Sequence, residues 1–315
     1  MGNAFTAPHF QSHELAREWL EQTRWPTGPV CSHCGSLKSY KIKKPGWYRC
    51  AEPECRKDFT VTTGTVMERS KIPLNKWLMA FYMLNSSKKG VSSHQLHRAL
   101  GLDYKSAWFM MHRIREAMRD GGLEPMGGEG KIVEADETYY GRAKEKNNLK
   151  KRYSPYTKGG WKDKGAARPI VALVERGGNV RTFHVAHADK VTVAGIVREN
   201  ISRESRLHTD ESRLYTEVGG EFADHETVHH SSGEYVRGDV HTNSAEGYFS
   251  IFKRGMRGIY QHCGEKHLHR YLAEYDHRYN HRVALGYSDI DRTIIAIRGV
   301  AGKRLTYRQS YEARS

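Results

Sequence analysis

The chain is organised around the stretch HTNSAEGYFSIFK, residues 241–253. Read as a helix, this stretch places Glu246 and Lys253 seven residues apart, two turns along the same face. We interpret Glu246 as a candidate metal ligand and Lys253 as a cation that faces an anionic substrate. A metal site at Glu246 needs further carboxylates, which have to come from earlier parts of the chain.

Two aspartates in strand-like segments could complete such a site. Asp210 ends the segment RLHTD and is separated from Glu246 by 35 residues (211–245), and Asp136 lies in IVEADETYYG, 74 positions before Asp210. An acid inside a run of Ile, Val and Tyr has a desolvation cost, which indicates a specific use. Two carboxylates on strands and a third on a later helix could converge on two divalent ions, the arrangement that phosphodiester chemistry requires.

The composition indicates a folded protein with a polyanionic partner. The 315 residues suit two or three domains, and 51 Lys and Arg against 36 Asp and Glu give a net charge of +15 with neutral histidines. Nucleic acid is the first candidate partner, and a ribosome-associated or simply basic protein is the alternative. The longest apolar run, residues 77–84, is far below the roughly 20 residues of a membrane span, and residues 1–10 contain no basic-then-apolar leader. We therefore expect an intracellular protein without a membrane partner.

Four of the five cysteines form two closely spaced pairs, CSHC and CAEPEC. Two such pairs on tight turns can present four thiolates tetrahedrally to one zinc ion, and four unrelated buried cysteines are the alternative. The segment SYKIKKPGWYRC, which leads into the second pair, predicts a two-stranded hairpin. We predict that residues 1–70 form a zinc ribbon with a leading helix at 13–22. The predicted ligands of one structural Zn²⁺ are Cys31, Cys34, Cys50 and Cys55.

The next segment reads as three amphipathic helices. They are NKWLMAFYMLNSSKKG from residue 75, SSHQLHRALG from residue 92 and DYKSAWFMMHRIREAMRDG from residue 103. The turn between the last two, Gly101-Leu102-Asp103, resembles that of a helix-turn-helix, and the third helix would then be the recognition helix. Lys105 and Arg113 are its candidate DNA contacts, and a plain helical bundle is the alternative. We assign residues 71–119 to this segment and the Gly-rich stretch 120–130 to a linker.

The C-terminal part alternates strands and helices. Strands are predicted at residues 131–141, 168–174 and 180–186, followed by a helix at 190–202, the strand that carries Asp210 and the helix that carries Glu246. This order is that of an RNase H-like nuclease core, although many α/β domains share it. We predict an α/β catalytic domain at residues 131–300 and a basic tail at 301–315. The predicted fold class is therefore multi-domain α+β, with zinc ribbon, helix-turn-helix-like segment and RNase H-like core in that order.

A basic and aromatic segment separates the first two of these strands. Residues 144–165 contain eight Lys or Arg against two acids, interleaved with two tyrosines and a tryptophan. Such a composition suits a phosphate backbone and unstacked bases, and a solvated loop in the free protein is compatible with that role. The candidate DNA contacts in this segment are Lys150, Lys151, Arg152 and Lys158.

Other polar residues near the three acids need an interpretation of their own. Glu134 and Glu137 flank Asp136, and we expect both of them on the opposite face of the strand. Asn243 precedes Glu246 by one helical turn and is a candidate to assist the metal. The histidines of EKHLHRYLAEYDHRYNHR, residues 265–282, are interpreted as basic surface and not as a metal site.

Seven ordered motifs run through about residues 14–295: VCSHCGS, YRCAEPEC, FTVTTGTVMERSKIPLNKW, VEADETYYG, LHTDESRLY, HTNSAEGYFSIFKRG and YDHRYNHR. Together they resemble the zinc-ribbon DDE transposases of bacterial insertion sequences, the group with an ISXO2-like transposase domain and kin of the eukaryotic Merlin elements. The resemblance implies an RNase H-like core that cuts and joins DNA at element ends with two Mg²⁺ or Mn²⁺ ions.

The resemblance also implies roles for particular residues. Matched by motif, Asp136, Asp210 and Glu246 resemble the catalytic, metal-binding triad. Lys253, with Arg254 beside it, resembles the basic residue downstream of the third acid. One ion would lower the pKa of the attacking water and the other would stabilise the departing 3′ oxygen, after which the freed 3′-OH attacks target DNA.

The implied partner is double-stranded DNA, at the element ends and at the target. The ribbon and the helix-turn-helix would recognise terminal inverted repeats, and pairing two ends demands a homo-oligomer on DNA. The implied location is the bacterial cytoplasm, in association with the nucleoid. Two alternatives stay open: a domesticated, non-catalytic zinc-ribbon regulator that only binds DNA, and an RNase H-like structure-specific nuclease that cuts branched DNA without joining strands.

Overall fold

The computed structural model describes residues 4–121, 124–141 and 168–306, which belong to two compact units. One unit comprises residues 4–121 and 273–306, and the other comprises residues 124–141 and 168–272. Within these ranges, no helix combines the length and the apolar composition that crossing a membrane requires. The main elements in chain order are α1 (His13–Arg24), β1 (Ser39–Lys41), β2 (Tyr48–Cys50), β3 (Asp58–Phe59), α2 (Leu74–Ser86), α3 (Ser93–Leu100), α4 (Tyr104–Ala117), β4 (Ile132–Tyr140), β5 (Arg168–Glu175), β6 (Val180–His184), α5 (Lys190–Asn200), β7 (Arg206–Asp210), α6 (Thr216–Gly219), β8 (Asp224–Val228), α7 (Asn243–Gly255), α8 (Leu268–Asn280) and α9 (Asp289–Arg298).

The N-terminal ribbon is a three-stranded antiparallel sheet in the order β1, β2, β3. The rings of Trp25, Tyr48 and Phe59 pack together with centroids 5.6–5.9 Å apart. The Tyr48 hydroxyl donates a hydrogen bond to Glu21 Oε2 at 2.9 Å. The ribbon is therefore joined to its leading helix, α1, by both an aromatic cluster and a polar contact.

Helices α3 and α4 meet across a three-residue turn. Gly101 ends α3 with φ = 58°, a left-handed conformation that glycine adopts without strain. Asp103 begins α4 and accepts a hydrogen bond from the backbone N–H of Ser106 at 2.9 Å, which satisfies one of the free donors of the first turn. Leu96 of α3 and Ile114 of α4 are fully buried. The helix bounds expected from these stop and start signals agree with the structure.

The compact units divide the C-terminal part of the chain at a different place from the predicted catalytic domain. Residues 273–300 were assigned to the domain that starts at 131, but they belong to the same compact unit as the N-terminal helices. Glu274 of α8 forms a buried ion pair with Arg115 of α4 at 2.6 Å, and Arg278 pairs with the same carboxylate. In addition, α9 packs against α2. An amphipathic helix pattern indicates that one face is buried but not which element buries it, so the sequence could not assign these helices.

The second unit is built on a mixed five-stranded sheet in the order β6, β5, β4, β7, β8. The first three strands pair antiparallel, and β7 and β8 then follow β4 in parallel. Strand β8 was not expected, since its sequence, DHETV, lacks the apolar alternation that marks a half-buried strand. It lies at the edge of the sheet, where one neighbour suffices.

The two faces of this sheet have different coverings. Val133, Ala135 and Leu207 belong to a core that also contains Val193 and Val197 of α5. On the other face α7 packs against β4 and β5, and its Phe252 ring lies 5.6 Å from the ring of Tyr140. Because side chains alternate along a strand, the even-numbered positions of β4 face α7. This face brings Glu134 and Asp136 next to the helix that carries Glu246.

Candidate active site and cysteine cluster

The four cysteines of the ribbon converge on one point. Their sulfur atoms all lie within 4.8 Å of one another, with Cys31 Sγ 3.8 Å from Cys55 Sγ and Cys34 Sγ 3.6 Å from Cys50 Sγ. A tetrahedral zinc site with Zn–S bonds of about 2.3 Å requires sulfur atoms about 3.8 Å apart, so the donor set fits Zn²⁺. Burial raises the pKa of the Cys50 thiol to about 12. A bound metal would therefore have to displace that proton.

Asp136 and Asp210 lie on neighbouring strands. Strands β4 and β7 are parallel, and their register pairs Glu134 with His208. The pairing ends there, two residues before Asp136 on β4 and two residues before Asp210 on β7, so both aspartates lie just beyond the paired segment at the same end of the sheet. Asp210 Oδ1 accepts a hydrogen bond from the backbone N–H of Ser212 at 3.0 Å, which holds the carboxylate at the start of the next loop.

Burial and the other acids of this site raise the pKa of the Asp136 carboxyl group. Burial, followed by the negative charges of Asp210, Glu137 and Glu246, raises its pKa to about 7. Carboxylate oxygens with uncompensated negative charge are the ligands that hard divalent cations prefer, so the donor set fits Mg²⁺ or Mn²⁺.

Glu246 projects from the first turn of α7. Its side chain is 48% exposed, and its Oε1 lies 3.9 Å from Nε2 of His230. The His230 ring stacks on Tyr235 with centroids 5.1 Å apart. Further along the helix, Phe249 and Phe252 are buried. The apolar face of α7 therefore fixes which way Glu246 points, and His230 is a neighbour that the sequence interpretation did not include.

Two basic residues follow Glu246 on α7. Lys253 lies over the Phe249 ring, with its Nζ 5.9 Å from the ring centroid, and Arg254 is exposed with its Nε bonded to the backbone oxygen of Ser250. Asn243 is exposed on the first turn. The structure thus places these three candidates on the helix that carries the third acid, and their roles stay predictions.

The expectation that Glu134 and Glu137 both lie on the opposite face from Asp136 is wrong for Glu134. Glu134 lies two positions before Asp136, so both side chains are on the same face. The Glu134 carboxylate is fully buried and accepts hydrogen bonds from the backbone N–H groups of Ser244 and Ala245 at 2.7 and 3.1 Å. The strand period alone could have identified it as a neighbour of the site.

Glu137 does lie on the other face, towards the core. Its carboxylate accepts hydrogen bonds from Tyr215 OH at 2.9 Å and from Ser212 Oγ at 3.0 Å. Burial raises the pKa of Glu137, and the hydrogen bond from Tyr215 opposes that rise. Ser212 is therefore hydrogen-bonded to both Asp210 and Glu137, and these two contacts hold the start of the loop after β7.

The candidate DNA contacts divide into three groups. Lys105 is exposed at the start of α4. Arg113 is only 8% exposed, with its guanidinium 5.1 Å from the Trp77 ring centroid and bonded to the backbone oxygen of Glu68 at 2.7 Å, so its side chain is held inside the first unit and not presented at the surface as the prediction requires. Arg113 follows Met110 by one turn on the buried face of α4, and this spacing could have indicated its position. The candidates in the basic segment, Lys150, Lys151, Arg152 and Lys158, lie outside the described residues.

Two protein families match the chain, one in its N-terminal part and the other in its C-terminal part. The family described as a transposase zinc-ribbon domain matches residues 11–58, and the family described as an ISXO2-like transposase domain matches residues 127–280. The chain is also similar to an uncharacterized protein in transposable element ISH50 of Halobacterium salinarum, with 29% identity over 266 residues that cover 79% of this chain and 86% of the relative. The first match therefore contains the four cysteines, and the second contains all three candidate acids.

The match to one of the similar solved structures is weak. This structure is a chain of the simian T-cell lymphotropic virus intasome in complex with PP2A regulatory subunit B56 gamma, with 12% identity, a TM-score of 0.28, and coverage of 57% of this chain and 63% of that chain. This TM-score is too low to indicate a shared fold.

Proposed function

The chain belongs to the transposases that combine a zinc ribbon with an ISXO2-like transposase domain, and we propose that it is a DDE transposase that cuts DNA at element ends and joins the ends to a target. The observation that carries this proposal is the position of the acids within the matched domain. Asp136 and Asp210 lie on neighbouring parallel strands, two residues beyond their last paired positions, and the charges of Asp210 and of Glu246 on α7 both act on Asp136.

We propose that the second unit has the RNase H-like arrangement expected from the sequence. Three antiparallel strands followed by two parallel ones, with β4, the first strand of this unit, in the centre of the sheet, support this assignment. The candidate acids sit on the central strand, on its parallel neighbour and on a helix that packs on one face. This arrangement lets acids that are far apart in the sequence share one site.

In the proposed mechanism Asp136, Asp210 and Glu246 would together hold two Mg²⁺ or Mn²⁺ ions. When bound, such ions supply an activated water and stabilise the departing 3′ oxygen. Asp136 has to lose its proton before it can act as a ligand, because its pKa is raised to about 7. Lys253, two turns after Glu246, would neutralise a phosphate of the bound strand. None of the chain's residues needs to act as a covalent nucleophile.

The first unit would provide recognition of the element ends. We propose that α3, the turn at Gly101 and α4 act as a helix-turn-helix, with exposed Lys105 near the N-terminus of the recognition helix. The zinc ribbon would contribute a second contact, stabilised by one Zn²⁺ bound to its four cysteines. Because two ends must be cut and joined together, we propose that the protein works as a homo-oligomer on DNA.

A strand-cleavage and joining assay tests the proposal. The substrate is a labelled duplex that carries the inverted repeat flanking the gene, incubated with Mg²⁺ or Mn²⁺, without either ion, and with Asp136→Ala. Asp239→Ala is the matched control, because Asp239 is an acid of the same unit that pairs with Arg206 instead of joining the site. We expect cleavage at the 3′ end followed by joining in the wild type and the control, and neither in Asp136→Ala.

The same assay separates the proposal from its rivals. Tight, specific binding without cleavage in either ion would indicate a regulator that only binds DNA. Cutting of branched duplexes without joining would indicate a structure-specific nuclease. Asp210→Asn should keep or increase the DNA affinity, since it removes a negative charge near phosphate, and should abolish cleavage.

A further inference from the structure

We propose that Glu134 is a positioning residue that fixes the first turn of α7, and therefore Glu246, relative to Asp136. This inference rests on the proposed function, since it concerns how the third acid of that site is held. Glu134 does not belong to the proposed ligand set, and it would act through the helix that carries Glu246.

The contacts of Glu134 are concentrated on the start of α7. Its Oε2 accepts hydrogen bonds from the backbone N–H groups of Ser244 and Ala245, at 2.7 and 3.1 Å, and its Oε1 accepts one from Ser244 Oγ at 3.0 Å. Ala245 immediately precedes Glu246 in the chain. The carboxylate therefore holds the two residues before Glu246 by three hydrogen bonds.

This arrangement replaces the local cap that a helix ordinarily uses. The first N–H groups of a helix have no partner within it, and a Ser or Asp side chain just before the helix commonly accepts from one of them. Five other helices of the chain, α1, α3, α4, α5 and α9, begin with such a residue. Within the described part of the chain, the side chain of Thr242 makes no such bond at the start of α7. Its cap is Glu134, which comes from a strand 110 residues earlier in the sequence.

Arg176 balances the charge of Glu134, and His241 Nδ1 also lies 3.2 Å from Glu134 Oε1. Arg176, the residue after β5, donates to Glu134 Oε1 from Nε at 3.1 Å and from Nη2 at 2.9 Å. The same guanidinium donates to the backbone oxygens of Asp239 and His241 at 2.7 and 3.2 Å. Arg176 therefore ties the segment that leads into α7 to the carboxylate that caps the helix.

The path from the first acid to the third is consequently short. Glu134 and Asp136 are two residues apart on β4, about 6.6 Å along the strand, and they face the same side of the sheet. Glu134 then reaches the residues next to Glu246 by direct hydrogen bonds. Without this carboxylate the later turns of α7 would still pack through Phe249 and Phe252. The first turn of the helix would lose the contacts that set its distance from β4.

The test is a Mn²⁺ titration of the full, zinc-loaded chain with Glu134→Gln. Free Mn²⁺ is measured by electron paramagnetic resonance, and thermal unfolding, affinity for the inverted-repeat duplex and Mn²⁺-dependent cleavage are measured in parallel. Glutamine keeps the shape of the side chain but offers one acceptor oxygen and places an amide against Arg176. Glu226→Gln is the matched control, because Glu226 also pairs with an arginine, Arg206, in the same unit.

We expect Glu134→Gln to raise the Mn²⁺ midpoint at least tenfold, the scale seen when a group that orients metal ligands is lost. Cleavage should recover at high Mn²⁺, the affinity for DNA should stay unchanged, and Glu226→Gln should behave like the wild type. Recovery at high Mn²⁺ distinguishes a positioning residue from Asp136, whose loss no concentration of metal should repair.

Several results would overturn the inference. A purely structural role would lower the melting temperature and leave the Mn²⁺ midpoint unchanged, and an equal shift in Glu226→Gln would remove any special role. If Glu134→Gln does not fold, Glu134→Asp takes its place, since a side chain one methylene shorter cannot keep both backbone bonds, and an unchanged midpoint there is equally decisive. If the wild type cleaves normally and the variants give one of these contrary results, only the role of Glu134 is refuted. A wild type that neither binds Mn²⁺ nor cleaves refutes the proposed function and this role with it.

Discussion

Replacing Asp136 with asparagine should stabilise the protein in the absence of divalent ions at neutral and alkaline pH. The pKa of Asp136 is raised from 3.8 to about 7 by burial and by the neighbouring acids. A rise of this size corresponds to about 4 kcal/mol of unfavourable free energy when the group ionises in the folded protein. Because Asp136 is half-buried and water can reach the site, we expect a gain of about 1–3 kcal/mol for Asp136→Asn at pH 8.

The sign of the pH dependence follows from proton binding. Between pH 3.8 and about pH 7 the folded protein holds a proton on Asp136 that the unfolded chain has released, so the wild type loses stability as the pH rises through this window. The advantage of Asp136→Asn should therefore be full at pH 8, shrink as the pH falls, and disappear near pH 4. Asparagine cannot ionise, so the variant lacks this contribution to the pH dependence.

Thermal unfolding between pH 4 and pH 8.5 measures the effect. The buffer should be freed of divalent ions on a chelating resin, because a soluble chelator could also remove zinc from the four cysteines. For domains of this size 1 kcal/mol corresponds to about 2–4 °C in melting temperature. Asp239→Asn is the control, since its partner Arg206 lowers the pKa of Asp239 and the substitution should not stabilise. A variant Asp136→Asn that is no more stable than the wild type at pH 8, or whose gain does not depend on pH, would refute the electrostatic account of the site.

Four further outcomes follow from the first unit. Cys34→Ser should lower the zinc content below one ion per chain and expose the ribbon to proteases, and a full zinc complement measured by mass spectrometry would contradict the ribbon assignment. Glu274→Gln should cost about 3–5 kcal/mol in urea unfolding, because it removes the buried counter-charge of Arg115, and a loss below 1 kcal/mol would contradict that. Lys105→Ala should weaken DNA binding and reduce its salt slope by about one without changing stability. Arg113→Gln should instead lower the free energy of unfolding by about 2–3 kcal/mol, and the reverse pattern would show that the assignment of the two residues is mistaken.

Local sequence patterns were sufficient to predict the elements that are determined by interactions between residues close in the sequence. The strand pattern around Asp136 predicted residues 131–141 and the strand is Ile132–Tyr140, and the cap and stop signals placed α3 and α4. The cysteine spacing predicted a cluster of thiols, which the structure confirms. In each case the determining interactions lie within a few residues or within one hairpin.

Features that depend on distant parts of the chain were not predicted. The sequence of β8 carries no apolar period, because an edge strand of this sheet needs none. The burial of Arg113 depends on Trp77 and Glu68 of other elements, and the cap of α7 depends on a carboxylate from β4. The strand period did put Glu134 beside Asp136, so that error lay in the interpretation. The catalytic roles of Asp136, Asp210 and Glu246 stay predictions, which the experiments above address.

The parallel pairing of β4 with β7 has a consequence for the order in which the molecule becomes competent during its synthesis. The three strands of the ribbon are complete at Phe59, whereas the sheet needs Asp210 and the third acid needs Glu246. At roughly 5–20 residues per second, the 187 residues from 59 to 246 take a ribosome on the order of 10–40 seconds. A nascent chain can therefore load zinc and fold its ribbon well before it has all the acids that cutting DNA would require.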